Sequence, residues 1–116
     1  RKAWGGGMRQ VGIIAAAGLY ALKNNIDRLK EDHINARLLA SELAQLKNIE
    51  IDMDLVETNI VMFKLKNISV EDFLLKCKDQ GLLLGTGKIG VIRAVTHMDV
   101  SKEDILNSVK IIDRIL

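Results

Sequence analysis

The chain has 116 residues, 48% hydrophobic and 28% charged, which suits one domain of ordinary size and excludes the composition of a disordered chain. Its 17 basic and 15 acidic residues are interspersed and leave a net charge of +2, so neither nucleic acid nor an anionic membrane is implied as a partner. A single cysteine, Cys77, rules out an intramolecular disulfide, and with only His33 and His97 beside it no zinc spacing arises. The reading is of an intracellular, cytoplasmic chain without a metal site.

No proline is present, so breaks are read from glycine and from polar clusters. Gly5, Gly6 and Gly7 mark an irregular approach to Val11–Leu22, a run of helix formers that is apolar on nearly every side. Such a helix is buried or awaits a partner, and it falls short of the roughly 18 residues a membrane span needs. Arg1 and Lys2 ahead of it look superficially like a signal peptide, but Arg9 interrupts the apolar region and no cleavage site follows. The chain opens at Arg with a polar–apolar segment under way, which predicts a piece of a longer protein.

From Ile26 the pattern turns amphipathic: Ile26, Leu29, Ile34, Leu38, Leu39, Leu43 and Leu46 recur at helical spacing, predicting a helix that ends near Lys47 or Asn48. Ile49–Met53 alternates as a half-buried strand, and Asn59–Leu65 repeats the signal with deeper burial. Ser69 to Asp72 offers a capping box for a short helix with Val70, Phe73, Leu74 and Cys77 on one face, stopped by Gly81. Leu82–Leu84 and Val91–Thr96 flank Gly85-Thr-Gly87-Lys88, the pattern of a β-hairpin. Ser101 to Asp104 repeats the capping pattern ahead of a last helix with Ile105, Val109, Ile112 and Leu116 on one face. The order predicts an α+β class: a long helix, then a small antiparallel sheet covered by helices on one face.

Few residues suggest chemistry. Gly85 to Gly90 spells the letters of a dinucleotide fingerprint, yet a strand, not a helix, follows, so no helix N-terminus stands ready for a pyrophosphate. His97 and Asp99 could form an acid–base pair, but no third partner is visible, and a turn before the last helix accounts for them. Cys77 lies on an apolar helical face as a small hydrophobe with no activating base, and His33 sits in a charged stretch. Arg93 is the one charge within Val91–Val95; the residues alone leave open whether it points to solvent or meets an anion, for which a guanidinium is shaped to grip a carboxylate in two places. Equally open is whether Gly5–Gly7, with Arg1, Lys2 and Arg9, presents backbone N–H groups to a phosphate or is a flexible loop.

Four blocks then carry a resemblance. Arg1-Lys2-Ala-Trp-Gly-Gly-Gly-Met-Arg9-Gln10 with Gly12 and Ala15–Gly18, Leu29–His33 with Asn35-Ala36, Glu57–Val61, and Ile92–Ser101 together resemble the low-specificity L-threonine aldolases, in order and over essentially the whole chain. The resemblance implies the small C-terminal domain of a fold-type I pyridoxal-phosphate enzyme, with residues 1–25 as the linker segment and helix and 26–116 as the small α+β domain. It implies retro-aldol cleavage of L-threonine or L-allo-threonine to glycine and acetaldehyde, for which pyridoxal phosphate supplies an electron sink. Arg93 matches the arginine that binds the substrate α-carboxylate; Lys2 and Arg9 match basic residues near the cofactor phosphate at a subunit interface. His97 and Asp99 match a turn that positions the end of the Arg93 strand.

The departure is equally specific. The family's covalent-anchor lysine sits in a Ser-Lys-Gly context upstream of the glycine triplet, and no such context exists in this chain. The chain is therefore expected to hold no catalytic residue and no covalently bound cofactor, to need a missing N-terminal large domain, and to act within a homo-oligomer. The alternative is a free-standing α+β module that binds a small amino-acid-like ligand or serves regulation.

Overall fold

The structure, a computed structural model, describes residues 2–116. Four helices, α1 (Gly12–Asn24), α2 (Leu29–Leu43), α3 (Val70–Asp79) and α4 (Lys102–Ile115), accompany four strands, β1 (Ile49–Ile51), β2 (Ile60–Leu65), β3 (Gly85–Thr86) and β4 (Val91–Val95). The strands form one antiparallel sheet in the order β1-β2-β4-β3. Strand parity decides its two faces. Val61 and Phe63 of β2 and Ile92 and Ala94 of β4 are buried beneath the helices, whereas Met62, Lys64, Arg93 and Val95 lie on the open face.

The covered face packs into one core. Phe63 meets Phe73 of α3 edge-on, with ring centroids 6.4 Å apart, the arrangement that aromatic quadrupoles favour. Ile105, Val109 and Ile112 of α4 join Ala36, Leu39, Ala40 and Leu43 of α2 in the same cluster, and Cys77 completes it from α3. Polar caps fix where the outer helices begin. Ser101 accepts a hydrogen bond from the Asp104 N–H while the Asp104 carboxylate accepts one from the Ser101 N–H, a reciprocal box; such caps are worth about 1 kcal/mol. At Ser69 only half of the expected box forms, since Asp72 takes its bond from the Ser69 hydroxyl rather than from the backbone. Gly81, with φ of 78°, ends α3 in the left-handed conformation that glycine adopts without strain.

Three sequence expectations need correction. The amphipathic helix runs from Leu29 to Leu43, not from Ile26 to near Lys47 or Asn48, and its first turns are rotated: Ile26, Leu29 and Ile34 are exposed while Asp32 is buried. The first strand stops at Ile51, because the Asp52 side chain accepts the Asp54 N–H and starts a 3-10 turn over Met53–Leu55. The hairpin is present, but Gly85-Thr86 forms its first strand and the reversal falls on residues 87–90, closed by bonds between Gly87 and Val91 and between Val91 and Lys88. Gly90, with φ of 74°, supplies the left-handed residue that this turn requires.

No residue of α1 is buried, and Trp4 and Ile13 are 94% and 87% exposed. The radius of gyration is 17.2 Å with a longest extent of 49 Å, against about 13 Å for a compact domain of this length. No helix among the described residues is long and apolar enough to cross a membrane.

Candidate functional site

Arg93 occupies the middle of the open sheet face. Across β2 it pairs with Met62, and across β3 with Gly85; Ile60 and Val95 form the next row toward one end, Lys64 and Val91 toward the other. Directly opposed residues of an antiparallel pair point to the same face, so the Arg93 guanidinium stands among apolar neighbours with one cation, Lys64, two positions along β2. Lys64 is itself engaged by Glu50 at 3.4 Å. Arg93 makes none of the ion pairs or side-chain hydrogen bonds among the described residues. An exposed, unpaired guanidinium on an apolar floor has its donors free for a planar anion, and a carboxylate fits two of them side by side.

The strand end just past Arg93 is pinned by a polar cluster gathered from three of the sequence blocks. The buried Thr96 hydroxyl donates to the Asp32 carbonyl at 2.6 Å, the Asn59 amide donates to the Thr96 carbonyl at 2.7 Å, and the Thr96 N–H returns to the Asn59 carbonyl at 2.9 Å. Asn35 donates to the Val100 carbonyl at 3.0 Å, tying α2 to the following turn. The Asp32 side chain is 6% exposed and faces Arg28 with both oxygens at 3.4 Å, so its burial is compensated by a two-point contact. Asp32 and Asn59 carried no signal in the hydrophobic patterning; what marked them was their place in the Leu29–His33 and Glu57–Val61 blocks.

His97 and Asp99 form a turn rather than an acid–base pair. The Asp99 N–H donates to His97 Nδ1 at 3.3 Å and the Val100 N–H closes the reversal on the His97 carbonyl at 2.9 Å. Both side chains are more than half exposed, with 3.7 Å between Nδ1 and the Asp99 carboxylate. Cys77 is fully buried, and burial pushes its thiol up to about 11, which removes it as a nucleophile. No group of three or more His, Cys, Asp or Glu side chains among the described residues could hold a metal.

Lys2 lies in a 3-10 turn over Lys2–Trp4 and Arg9 in a bend before α1; both are exposed. Arg1, the third cation of that segment, lies outside the described residues. Two surface grooves, of about 630 and 520 Å³, run beside β1 and β2 and between α2 and the 97–101 turn; neither is lined by Lys2, Arg9 or Arg93. The described residues therefore do not enclose pyridoxal phosphate by themselves: Arg93 stands on an open face, and Lys2 and Arg9 belong to a segment that buries nothing against it.

Residues 1–67 match the profile of the family described as beta-eliminating lyase. The chain belongs to the beta-eliminating lyases. Within curated proteins this beta-eliminating lyase chain is 37% identical over 108 residues to the low-specificity L-threonine aldolase 1 of Arabidopsis thaliana and 42% identical over 105 residues to the low specificity L-threonine aldolase of Escherichia coli K12. Each match covers 90% of this chain and 30% of the relative, so the chain spans under a third of the length of those relatives. Among solved structures it superposes on the C-DES mutant with glycine covalently linked to the PLP cofactor, with a TM-score of 0.72 at 20% identity over 88% of this chain and 28% of that one. The NifS-like protein of Rickettsia africae gives 0.70 at 19% identity over 95% and 36%. These likenesses show the fold, the α+β arrangement found in fold-type I pyridoxal-phosphate enzymes.

Proposed function

We propose that this chain is part of a pyridoxal-phosphate-dependent lyase that cleaves L-threonine or L-allo-threonine to glycine and acetaldehyde, with Arg93 gripping the substrate α-carboxylate. The similarity to low-specificity L-threonine aldolases over 90% of the chain carries this reading. The unpaired guanidinium on the open sheet face supplies its chemistry. Two parallel N–H···O bonds fix both the position and the plane of a carboxylate, and so hold one end of the amino acid while the other reacts. Residues 1–25 serve as the link to a preceding large domain. Lys2 and Arg9 lie near the cofactor phosphate, across a subunit interface of a cytoplasmic homo-oligomer. The covalent-anchor lysine and the enclosure of the cofactor come from polypeptide upstream of residue 1, and no bond-breaking step is assigned to the residues of this chain.

The test is a retro-aldol assay of the complete gene product with its Arg93→Lys variant. Lysine keeps the charge but loses the fork, so KM for L-threonine should rise by about tenfold or more while kcat changes less. Unchanged KM would remove Arg93 from the substrate, and no aldehyde release by the complete protein would favour a binding or regulatory module instead.

A further inference from the structure

Because the Arg93 side chain makes no hydrogen bond or ion pair among the described residues, only packing can direct its guanidinium. Two glycines stand beside it, and neither is needed for its backbone: positive φ occurs at Gly5, Gly81 and Gly90, not at Gly85 or Gly87. At Gly87 the space a side chain would fill is already taken, whereas at Gly85 an added β-carbon would lie in ordinary contact with Arg93. A β-carbon added at Gly87 would collide with the Met62 Cε and would lie 3.6 Å from its Sδ and 3.8 Å from the Arg93 Cβ. The Met62 thioether thus occupies the room over Gly87, on the same sheet face as its cross-strand partner Arg93. A β-carbon at Gly85 would meet Arg93 Nη2 at 3.8 Å and Nε at 4.0 Å, so the guanidinium extends over the bare backbone of β3.

We propose that Met62, Gly85 and Gly87 are positioning residues for Arg93, the thioether flanking its stem from the β2 side, Gly87 leaving room for that thioether and Gly85 the floor over which the guanidinium extends. The proposal rests on the reading of Arg93 as the carboxylate-binding group. Methionine suits this task because a flexible thioether moulds to an irregular gap without a polar group of its own. An anchored stem also reduces the rotamer freedom that a long cation must surrender when it grips a ligand. In Gly87→Ala the new methyl takes the place of the Met62 Cε, so the thioether must leave its position beside Arg93; once Met62 is shortened the methyl has nothing to displace.

The direct readout is the Arg93 Nε–Hε cross-peak of the 116-residue chain, assigned by its loss in Arg93→Lys. Gly87→Ala and Met62→Ala should each shift it, and the double variant should shift it no further than Met62→Ala alone, with melting curves confirming that each variant is folded. In the complete enzyme, Gly87→Ala should raise KM for L-threonine by about tenfold with kcat within about threefold, a split that a general loss of structure would not give. A cross-peak indifferent to both substitutions would overturn the proposal, as would a KM unmoved by Gly87→Ala while Arg93→Lys raises it. A KM unmoved even by Arg93→Lys would instead remove the carboxylate reading on which the proposal rests.

Discussion

Arg93 owes its availability to the parity of the strand that carries it. Ile92 and Ala94 point into the core and Arg93 points away, so a slip of one residue in register would bury a guanidinium and expose the isoleucine. Cys77 is the opposite case, a potentially reactive group silenced by its surroundings. With its thiol raised to about 11 by desolvation, only about one part in a thousand is thiolate at pH 8. An aromatic disulfide reagent should therefore leave the native chain unlabelled on the timescale of mixing and titrate one thiol per chain after denaturation. Immediate stoichiometric labelling of the native protein would contradict the burial.

Among the elements, α4 is the one whose start depends most on charge. Hydrogen bonds from the Ser101 hydroxyl and backbone N–H hold the Asp104 carboxyl below its ordinary value of 3.8. A lowered folded-state value means that Asp104 contributes stability fully above 3.8, and that the contribution is lost as pH falls through the folded-state value. The stability gap between the wild type and Asp104→Asn should then be constant above about pH 5 and narrow below 3.8, measured by denaturant unfolding at each pH. A gap that does not change with pH would refute this role. The same helix was plain in the sequence, since its cap and its Ile105, Val109 and Ile112 spacing are local signals. The phase of α2 was not: Asp32 is buried because the hydroxyl of Thr96, 64 residues away, needs its carbonyl and Arg28 offsets its charge. The hairpin was legible but its turn was displaced by two residues. Gly85, Gly87 and Gly90 all permit a reversal, and the pairing of Gly85 with Arg93 and the thioether over Gly87 decide among them. For the same reason Arg93 stood out as a lone charge in an apolar run, whereas Met62 and the two glycines beside it acquire meaning only once β2, β3 and β4 are side by side.

At the scale of the molecule, the residues before α2 present apolar surface that the α+β body does not use. Trp4, Ile13, Ile14, Tyr20 and Leu22 are all exposed, and a contiguous apolar surface of this kind favours association. The chain by itself should self-associate at concentrations on the order of 100 µM, and Ile13→Lys with Leu22→Lys should shift it toward monomer in analytical ultracentrifugation. A strictly monomeric wild type would count against the exposed helix as an association surface. Under the proposed reading, Arg93 grips the substrate carboxylate and the lysine that anchors the cofactor lies outside these 116 residues. The decisive measurement is a titration of the purified 116-residue chain with pyridoxal phosphate, then borohydride trapping and peptide mass analysis. Scattered, non-saturating modification of surface lysines is expected; saturable, stoichiometric modification of one lysine would put the anchor on this chain and refute the reading.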